Sequence, residues 1–283
     1  MEKDVKSILS ENGFGFKKRL GQNFITDKNL LSSIVRQSGV TADDTVVEIG
    51  CGAGTLTRAI AQCARRVIGF EVDATLRPVL AQTLAGLDNA EVIFKDFLKV
   101  NLAQLEGEIG AYSVIANLPY YVTTPLITKL LEESKLCKSL TVMVQEEVAL
   151  RLCASENTPD YGAITAVIAL RADAEIIKRV PRTMFTPRPN VDSAVVRLTV
   201  RDGRLPVKDA QLYRKTVHAA FAARRKTLVN NLVNVFGISR AQAEEALIKC
   251  GIAVKTRGEA LSPEAFARLS AVLADYTAPE RRD

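Results

Sequence analysis

Between Thr45 and Leu152 short apolar runs alternate with amphipathic stretches, and this alternation constrains the fold more than any other feature of the chain. The runs "TVVEIG", "RVIGFEVD", "AEVIFKDF", "YSVIANLPYY" and "SLTVMVQ" have strand length and are rich in Val and Ile. The stretches between them carry apolar residues at helical spacing. Strands joined by crossover helices build a parallel sheet covered on both faces. "GAITAVIALRADAEIIKRV" and "DSAVVRLTVR" follow with no long helix between them, and are expected as an antiparallel edge of the same sheet. "RDGRLPVKD" (Arg201 to Asp209) then reads as a linker, and every later segment has helical spacing, with Ser239 and Ser262 placed as N-caps. The expectation is an α/β domain over residues 1–201 and a small all-α domain over 207–283.

The strand ends carry the chemistry. "EIGCGAGTLT" (Glu48 to Thr57) follows one predicted strand and opens a helix, so Gly50, Gly52 and Gly54 let the backbone turn tightly against a ligand. The spacing is G-x-G-x-G; the third glycine of a dinucleotide fingerprint is replaced by Thr55. Glu71 ends the next strand, where a carboxylate accepts from ribose hydroxyls, and Asp96 follows the third, placed to accept from an adenine amino group. These positions describe an adenosine site at the carboxyl edge of a doubly wound sheet. No G-x-x-x-x-G-K-[ST] loop is present, which leaves a nicotinamide cofactor or S-adenosylmethionine.

"NLPY" at Asn117, Leu118, Pro119 and Tyr120 favours the second. The Asn117 side-chain oxygen and a neighbouring backbone carbonyl can accept from an amino group on a flat base, pulling that nitrogen toward tetrahedral geometry. Pro119 fixes the turn, and Tyr120 offers a stacking face. Such chemistry needs no strong base, which suits a chain whose single histidine, His218, is expected to be a packing residue. The reading is a class I (Rossmann-like) S-adenosylmethionine-dependent methyltransferase fold with a small C-terminal all-α domain.

Charge and composition narrow the partners. Formal net charge is +6, and from Leu205 onward 13 Lys and Arg face 8 Asp and Glu. Two cation clusters, Lys17, Lys18 and Arg19 near the N-terminus and Arg224, Arg225 and Lys226 at an expected helix start, point to a polyanion such as RNA. Five scattered cysteines with no C-x-x-C pair argue against a disulfide framework and a metal site, and Cys51 is expected only to fill its loop. No run is long and apolar enough for a bilayer, so a cytoplasmic protein without a membrane partner is expected.

Taken together, "KKRLGQNFITD", "VEIGCGAGTLT", "GFEVD", "KDFL", "NLPYYVTTPL", "MVQEEVALRL", "FTPRPNVDSAVVRL" and "AAFAARRKTLVNNL" make the chain resemble the ribosomal RNA adenine N6,N6-dimethyltransferases, closest to the small-subunit branch. That resemblance implies dimethylation of two adjacent adenosines in the 3′-terminal hairpin loop of 16S rRNA, within the immature small ribosomal subunit; a monomer is expected. It implies that Gln22, Asn23, Ile25, Gly50, Glu71, Asp96 and Asn117 hold S-adenosylmethionine, and that Phe185 supplies a second aromatic face for a flipped adenine. On residues alone, Gln22 and Asn23 also fit as caps of a helix near Asp27, and Phe185 fits as a loop anchor. Tyr121 departs from the smaller polar residue common after the motif and would narrow the pocket, bearing on the second methyl transfer. Alternatives are a large-subunit rRNA adenine methyltransferase of the macrolide-resistance type, a non-catalytic assembly factor on the same fold and, last, a nicotinamide dehydrogenase.

Overall fold

A computed structural model describes residues 5–17, 21–117 and 119–277, with the side chains of Lys6 and Tyr120 outside the description. In chain order the elements are α1 (Val5–Glu11), β1 (Phe24–Ile25), α2 (Lys28–Ser38), β2 (Thr45–Ile49), α3 (Thr55–Ala61), β3 (Arg66–Glu71), α4 (Arg77–Thr83), β4 (Ala90–Phe94), α5 (Leu102–Ile109), β5 (Tyr112–Asn117) and α6 (Thr123–Glu133). They continue through β6 (Cys137–Gln145), α7 (Glu146–Leu152), α8 (Ala163–Ile168), β7 (Ala172–Val180), β8 (Phe185–Thr186) and β9 (Ser193–Val200). Last come α9 (Ala210–Phe221), α10 (Leu228–Phe236), α11 (Arg240–Lys249) and α12 (Pro263–Thr277).

Among the described residues the main sheet has seven strands in the order β4-β3-β2-β5-β6-β9-β7. Neighbours from β4 to β6 are parallel, and β9 runs antiparallel to β6. β2 is buried along its whole length, as a central parallel strand with helices on both faces must be. Its register sets the site: Ile49 lies opposite Phe70 on one side and Ala116 on the other, so Gly50, Glu71 and Asn117 emerge together at one edge. The chain winds from β2 toward β4 and then returns to the other side of β2 at β5, and the crevice at that reversal is where such sheets bind ligands.

Local chemistry places the helices. Asp27 caps α2 by accepting from the Leu30 backbone N–H at 2.7 Å, and Gly39 closes it in the left-handed conformation at φ 79°. Leu30, Leu31, Ile34 and Val35 then pack with Ile60, Val67, Ile115 and Phe185 in one core. Each large apolar side chain so buried contributes roughly 1.5–3 kcal/mol. The outer strand β7 carries Glu175 and Arg179, which pair with Arg197 at 2.6 Å and Glu146 at 3.0 Å; charges on an edge strand discourage pairing with another chain.

The chain divides into two compact units, residues 1–149 with 174–200 and residues 150–173 with 201–283. The second is larger than the expected 207–283, because 150–173 packs with the C-terminal helices. Tyr161, Ala166 and Leu170 lie in the same core as Val217, Leu232 and Phe266. The Tyr161 hydroxyl donates to the Leu261 carbonyl at 2.8 Å, and the Tyr213 hydroxyl donates to the Ala166 carbonyl at 2.7 Å. Residues 163–168, expected as strand, form α8 instead: the Thr165 hydroxyl donates to the Arg151 carbonyl at 2.6 Å, and Ala166 is buried in the helical core. Helical packing outweighs the β-branched composition there. Ser239 caps α11 with a reciprocal Gln242 contact, and the Ser262 hydroxyl accepts from the Ala265 N–H at 3.2 Å at the start of α12. His218 is exposed on α9, not packed as expected, because Val217, Ala219 and Ala220 take the buried face. Among the described residues no helix is long and apolar enough to cross a membrane.

Candidate active site

A cavity of about 460 Å³ opens at the strand ends, a size suited to a cofactor or small ligand. The glycine loop makes one wall. Gly52 has φ 53°, and a Cβ there would lie 2.9 Å from Phe24 Cε1, so both the backbone and the space require glycine. Gly50 turns with φ 80° beneath the Asn117 carbonyl. Gly54 precedes α3 as its N-cap in the left-handed conformation at φ 81° and does not line the cavity; a Cβ there would also come 3.0 Å from Leu80 Cδ2. Gly52→Ala is expected to cost about 1–3 kcal/mol of stability; denaturant titration checks the loss, and an unchanged value would contradict this account of the loop.

Glu71 spans the loop and the next strand end. Its Oε2 accepts from the Gly52 N–H at 2.8 Å and its Oε1 from the Asp73 N–H at 2.8 Å. Burial raises its pKa, and the N–H groups of Asp73, Gly52 and Val72 oppose that rise. Asp96 lies just beyond β4, where its Oδ1 accepts from the Leu98 N–H at 3.0 Å, and it faces the cavity with Phe97 and Leu98.

The N-terminal segment closes another side. The backbone of Phe24 and Ile25 pairs with Thr186 and Phe185, bringing two segments far apart in sequence to one wall. The Thr55 hydroxyl donates to the Ile25 carbonyl at 2.8 Å, and Phe24 stacks on Phe14 with centroids 6.0 Å apart. Gln22, Asn23 and Ile25 all line the cavity. Neither Gln22 nor Asn23 caps α2, since Asp27 does so; Gln22 donates to Asp73 Oδ2 at 2.8 Å, and Asn23 Nδ2 donates to the Gly21 carbonyl at 3.2 Å.

Asn117 is the last residue of β5, and its Nδ2 donates to the Asn23 carbonyl at 3.1 Å. A carbonyl can only accept, so this contact assigns the amide and leaves Oδ1 as the acceptor beside the cavity. Pro119 follows with φ −56° and ψ 131°, and Pro119 and Tyr121 both line the cavity, the latter 62% exposed. Phe185 also lines it while only 5% exposed, because its ring packs into the core shared by Ile25 and Met143. Leu118 and the side chain of Tyr120 lie outside the described residues.

Glu48 is a cavity-lining residue that the sequence pattern does not single out. It lines the cavity with 0% exposure, and among the described residues neither carboxyl oxygen has a hydrogen-bond partner. Burial pushes its pKa to about 8, with the neighbouring Glu71 carboxylate adding to the rise. The folded protein therefore retains a proton that the unfolded chain releases near the ordinary 4.5, and stability falls as pH rises from there toward about 8. Glu48→Gln removes this dependence. Thermal melts are expected to show a stability difference growing in favour of the variant between about pH 5 and about pH 9; a difference that stays constant with pH would contradict the assignment.

The cation clusters are placed differently from expectation. The Lys17 ammonium sits 2.6 Å from Asp73 Oδ1 and 2.8 Å from Thr75 Oγ1, so its charge is paired within the protein; Lys18 and Arg19 lie outside the described residues. Arg224, Arg225 and Lys226 occupy the exposed turn between α9 and α10 and are not at a helix start, because α10 begins at Leu228 after Thr227. Arg224 donates to the Pro159 carbonyl at 3.1 Å. Cys51 is buried with its thiol pKa raised, chiefly by burial, which fits a loop filler.

Residues 13–275 match the model of the family described as ribosomal RNA adenine dimethylase. The chain is 45% identical over 287 residues to "Ribosomal RNA small subunit methyltransferase A" of Geobacillus thermodenitrificans, with 96% of this chain and 98% of that protein covered. It is 42% identical over 273 residues to the protein of the same name from Clostridioides difficile, with 95% and 94% covered. Among solved structures, a dimethyladenosine transferase from Plasmodium falciparum superposes with a TM-score of 0.78 at 23% identity, covering 89% of this chain and 98% of that one. The 23S rRNA methyltransferase ErmE superposes at 0.69 with 28% identity, covering 89% and 100%. Both are similar to this chain in fold.

Proposed function

The chain belongs to the ribosomal RNA adenine dimethylase family, and from that premise we propose that it transfers methyl groups from S-adenosylmethionine to the N6 atoms of two adjacent adenosines in the 3′-terminal hairpin loop of 16S rRNA. The single observation that carries the reading is the Asn117 amide, whose nitrogen is committed to the Asn23 carbonyl so that its oxygen is presented as an acceptor.

The cavity fits the cofactor by its donor set: a glycine loop that turns at positive φ at Gly50 and Gly52 along one wall, and carboxylates at successive strand ends. When bound, the cofactor supplies a methyl group on a positively charged sulfur. Glu71 accepts from ribose hydroxyls, Asp96 accepts from the adenine amino group, and Gln22, Asn23 and Ile25 form the wall from the N-terminal side. Asn117 Oδ1 accepts from the target amino group, drawing the nitrogen lone pair out of conjugation with the ring. Pro119 holds the turn, while Tyr120 and Phe185 supply aromatic faces for a base removed from its stack. No side chain must act as a strong base, because the nitrogen becomes acidic once alkylated.

The substrate is rRNA of the small subunit before its modification is complete, and the protein acts as a monomer in the cytoplasm, where subunits assemble. Relatives named for small-subunit rRNA methylation at 42–46% identity support this branch over the large-subunit alternative, represented by ErmE at 28%. Arg224, Arg225 and Lys226 supply phosphate contacts. Replacing all three with Ala is expected to weaken RNA binding and to reduce the slope of log affinity against log salt by about 2; an unchanged slope would remove the turn from the interface. The test of the branch is transfer of labelled methyl from S-adenosylmethionine to unmodified small subunits, with large-subunit RNA in parallel. Label in the small subunit alone is expected, and label in the large-subunit RNA alone would favour the other branch.

A further inference from the structure

Residues 21–23 are tied to three different parts of the site at consecutive positions. Gly21, at φ 60°, lies against Pro119, where a Cβ would come within 3.2 Å of the proline Cβ. Gln22 donates to Asp73 Oδ2 at 2.8 Å, and the Asn23 carbonyl accepts from Asn117 Nδ2 at 3.1 Å. Asp73 is nearly buried and also accepts from the Lys17 ammonium at 2.6 Å and from the Thr75 hydroxyl, while the Lys17 backbone N–H donates to Gln22 Oε1 at 2.8 Å. Lys17, Gln22 and Asp73 thus close a ring of hydrogen bonds around one buried charge. Such a clasp is stiff, because loosening it exposes or orphans a carboxylate.

We infer that Asp73 is a positioning residue for methyl transfer: clasped to Lys17 and Gln22, it holds the Asn23 carbonyl in place and thereby fixes which face of the Asn117 amide meets the substrate. Without that carbonyl the amide is free to turn and to present its NH₂ group, a donor, to an amino group that itself must donate. The inference rests on the methyltransferase reading above. It differs from a role in cofactor affinity, because the loss falls on the chemical step even when the cofactor site is filled.

The test uses Asp73→Ser, which keeps a cap on the following turn but cannot reach Gln22 or Lys17, together with Lys17→Met and Lys17→Arg. Single-turnover methylation of unmodified small subunits is measured at S-adenosylmethionine concentrations set to saturation from the S-adenosylhomocysteine affinity of each variant. Backbone hydrogen exchange of residues 21–25 is read independently of activity. Asp73→Ser and Lys17→Met are expected to slow the single-turnover rate by about 10- to 100-fold and to speed exchange, with Lys17→Arg recovering most of both. In an Asn117→Ala background, Asp73→Ser is expected to add no further loss, since the group it positions is gone. An unchanged rate at saturation, or losses that multiply fully in the double variant, would overturn the inference. A wild type that binds the subunit but transfers no methyl group would sink the functional reading and the inference with it, whereas an active wild type matched by Asp73→Ser and Lys17→Met at saturation sinks the inference alone.

Discussion

Asn117→Ala is expected to lower the rate of methyl transfer by about 10²- to 10³-fold, the usual consequence of removing one preorganised hydrogen-bonding group from a reacting centre. The side chain ends a buried parallel strand, and its nitrogen is held by the Asn23 carbonyl, so its oxygen is fixed before substrate arrives. Alanine removes the acceptor and leaves the Asn23 carbonyl without its partner. Because Asn117 is half-buried at the edge and not in the core, the fold is expected to persist. Single-turnover kinetics with a thermal melt as control check the prediction. Asn117→Asp is informative beside it: the carboxylate keeps an oxygen but faces the Asn23 carbonyl with another acceptor, so a large loss is expected there too.

Glu71→Gln is expected to weaken S-adenosylhomocysteine binding by roughly 100-fold, about 2.7 kcal/mol. Both carboxyl oxygens accept backbone N–H groups, from Gly52 and from Asp73, and together these bonds tie the glycine loop to the end of β3. Glutamine offers one oxygen and one NH₂, so one backbone donor is left facing a donor inside a buried site. The pH dependence has a definite sign. Burial holds the Glu71 pKa above the ordinary 4.5, so on acidification the wild type protonates Glu71 and loses affinity at a higher pH than an ordinary glutamate would. The Gln variant lacks that acid limb. Calorimetric titration across the acidic range reads both effects; wild-type affinity that matches the variant at neutral pH would contradict this account of Glu71.

The parts legible in the sequence are those with a short-range cause. A buried parallel strand must be a continuous apolar run, so β2, β3 and β5 announce themselves, and the residue that ends each run has to lie at the carboxyl edge. Glu71 and Asn117 are placed at the strand ends in this way. Gly52 is legible because a tight strand-to-helix turn needs glycine, although its collision partner Phe24 is not visible from the pattern. What escapes is set by distance along the chain. The Lys17–Asp73 contact joins residues 56 positions apart, so a basic cluster that reads as a phosphate site is in part an internal clasp. Glu48 looks like the polar end of a strand, and only the completed sheet shows that no water reaches it. α8 reads as strand because Ile, Thr and Val dominate it; the helical core that claims Ala166 comes from residues more than forty positions later. His218 is misread for a related reason, since which face of α9 turns inward is decided by the helices packed against it.

The central claim is that this cavity delivers methyl groups to the exocyclic nitrogen of adenosine in small-subunit rRNA. Complete nucleoside digestion of unmodified small subunits after incubation with the protein and labelled S-adenosylmethionine tests it most directly. The predicted result is label in N6,N6-dimethyladenosine from small-subunit RNA, lost with Asn117→Ala. Label on a ring nitrogen or on another base, or no label from a wild-type protein that binds S-adenosylhomocysteine and the subunit, would contradict it.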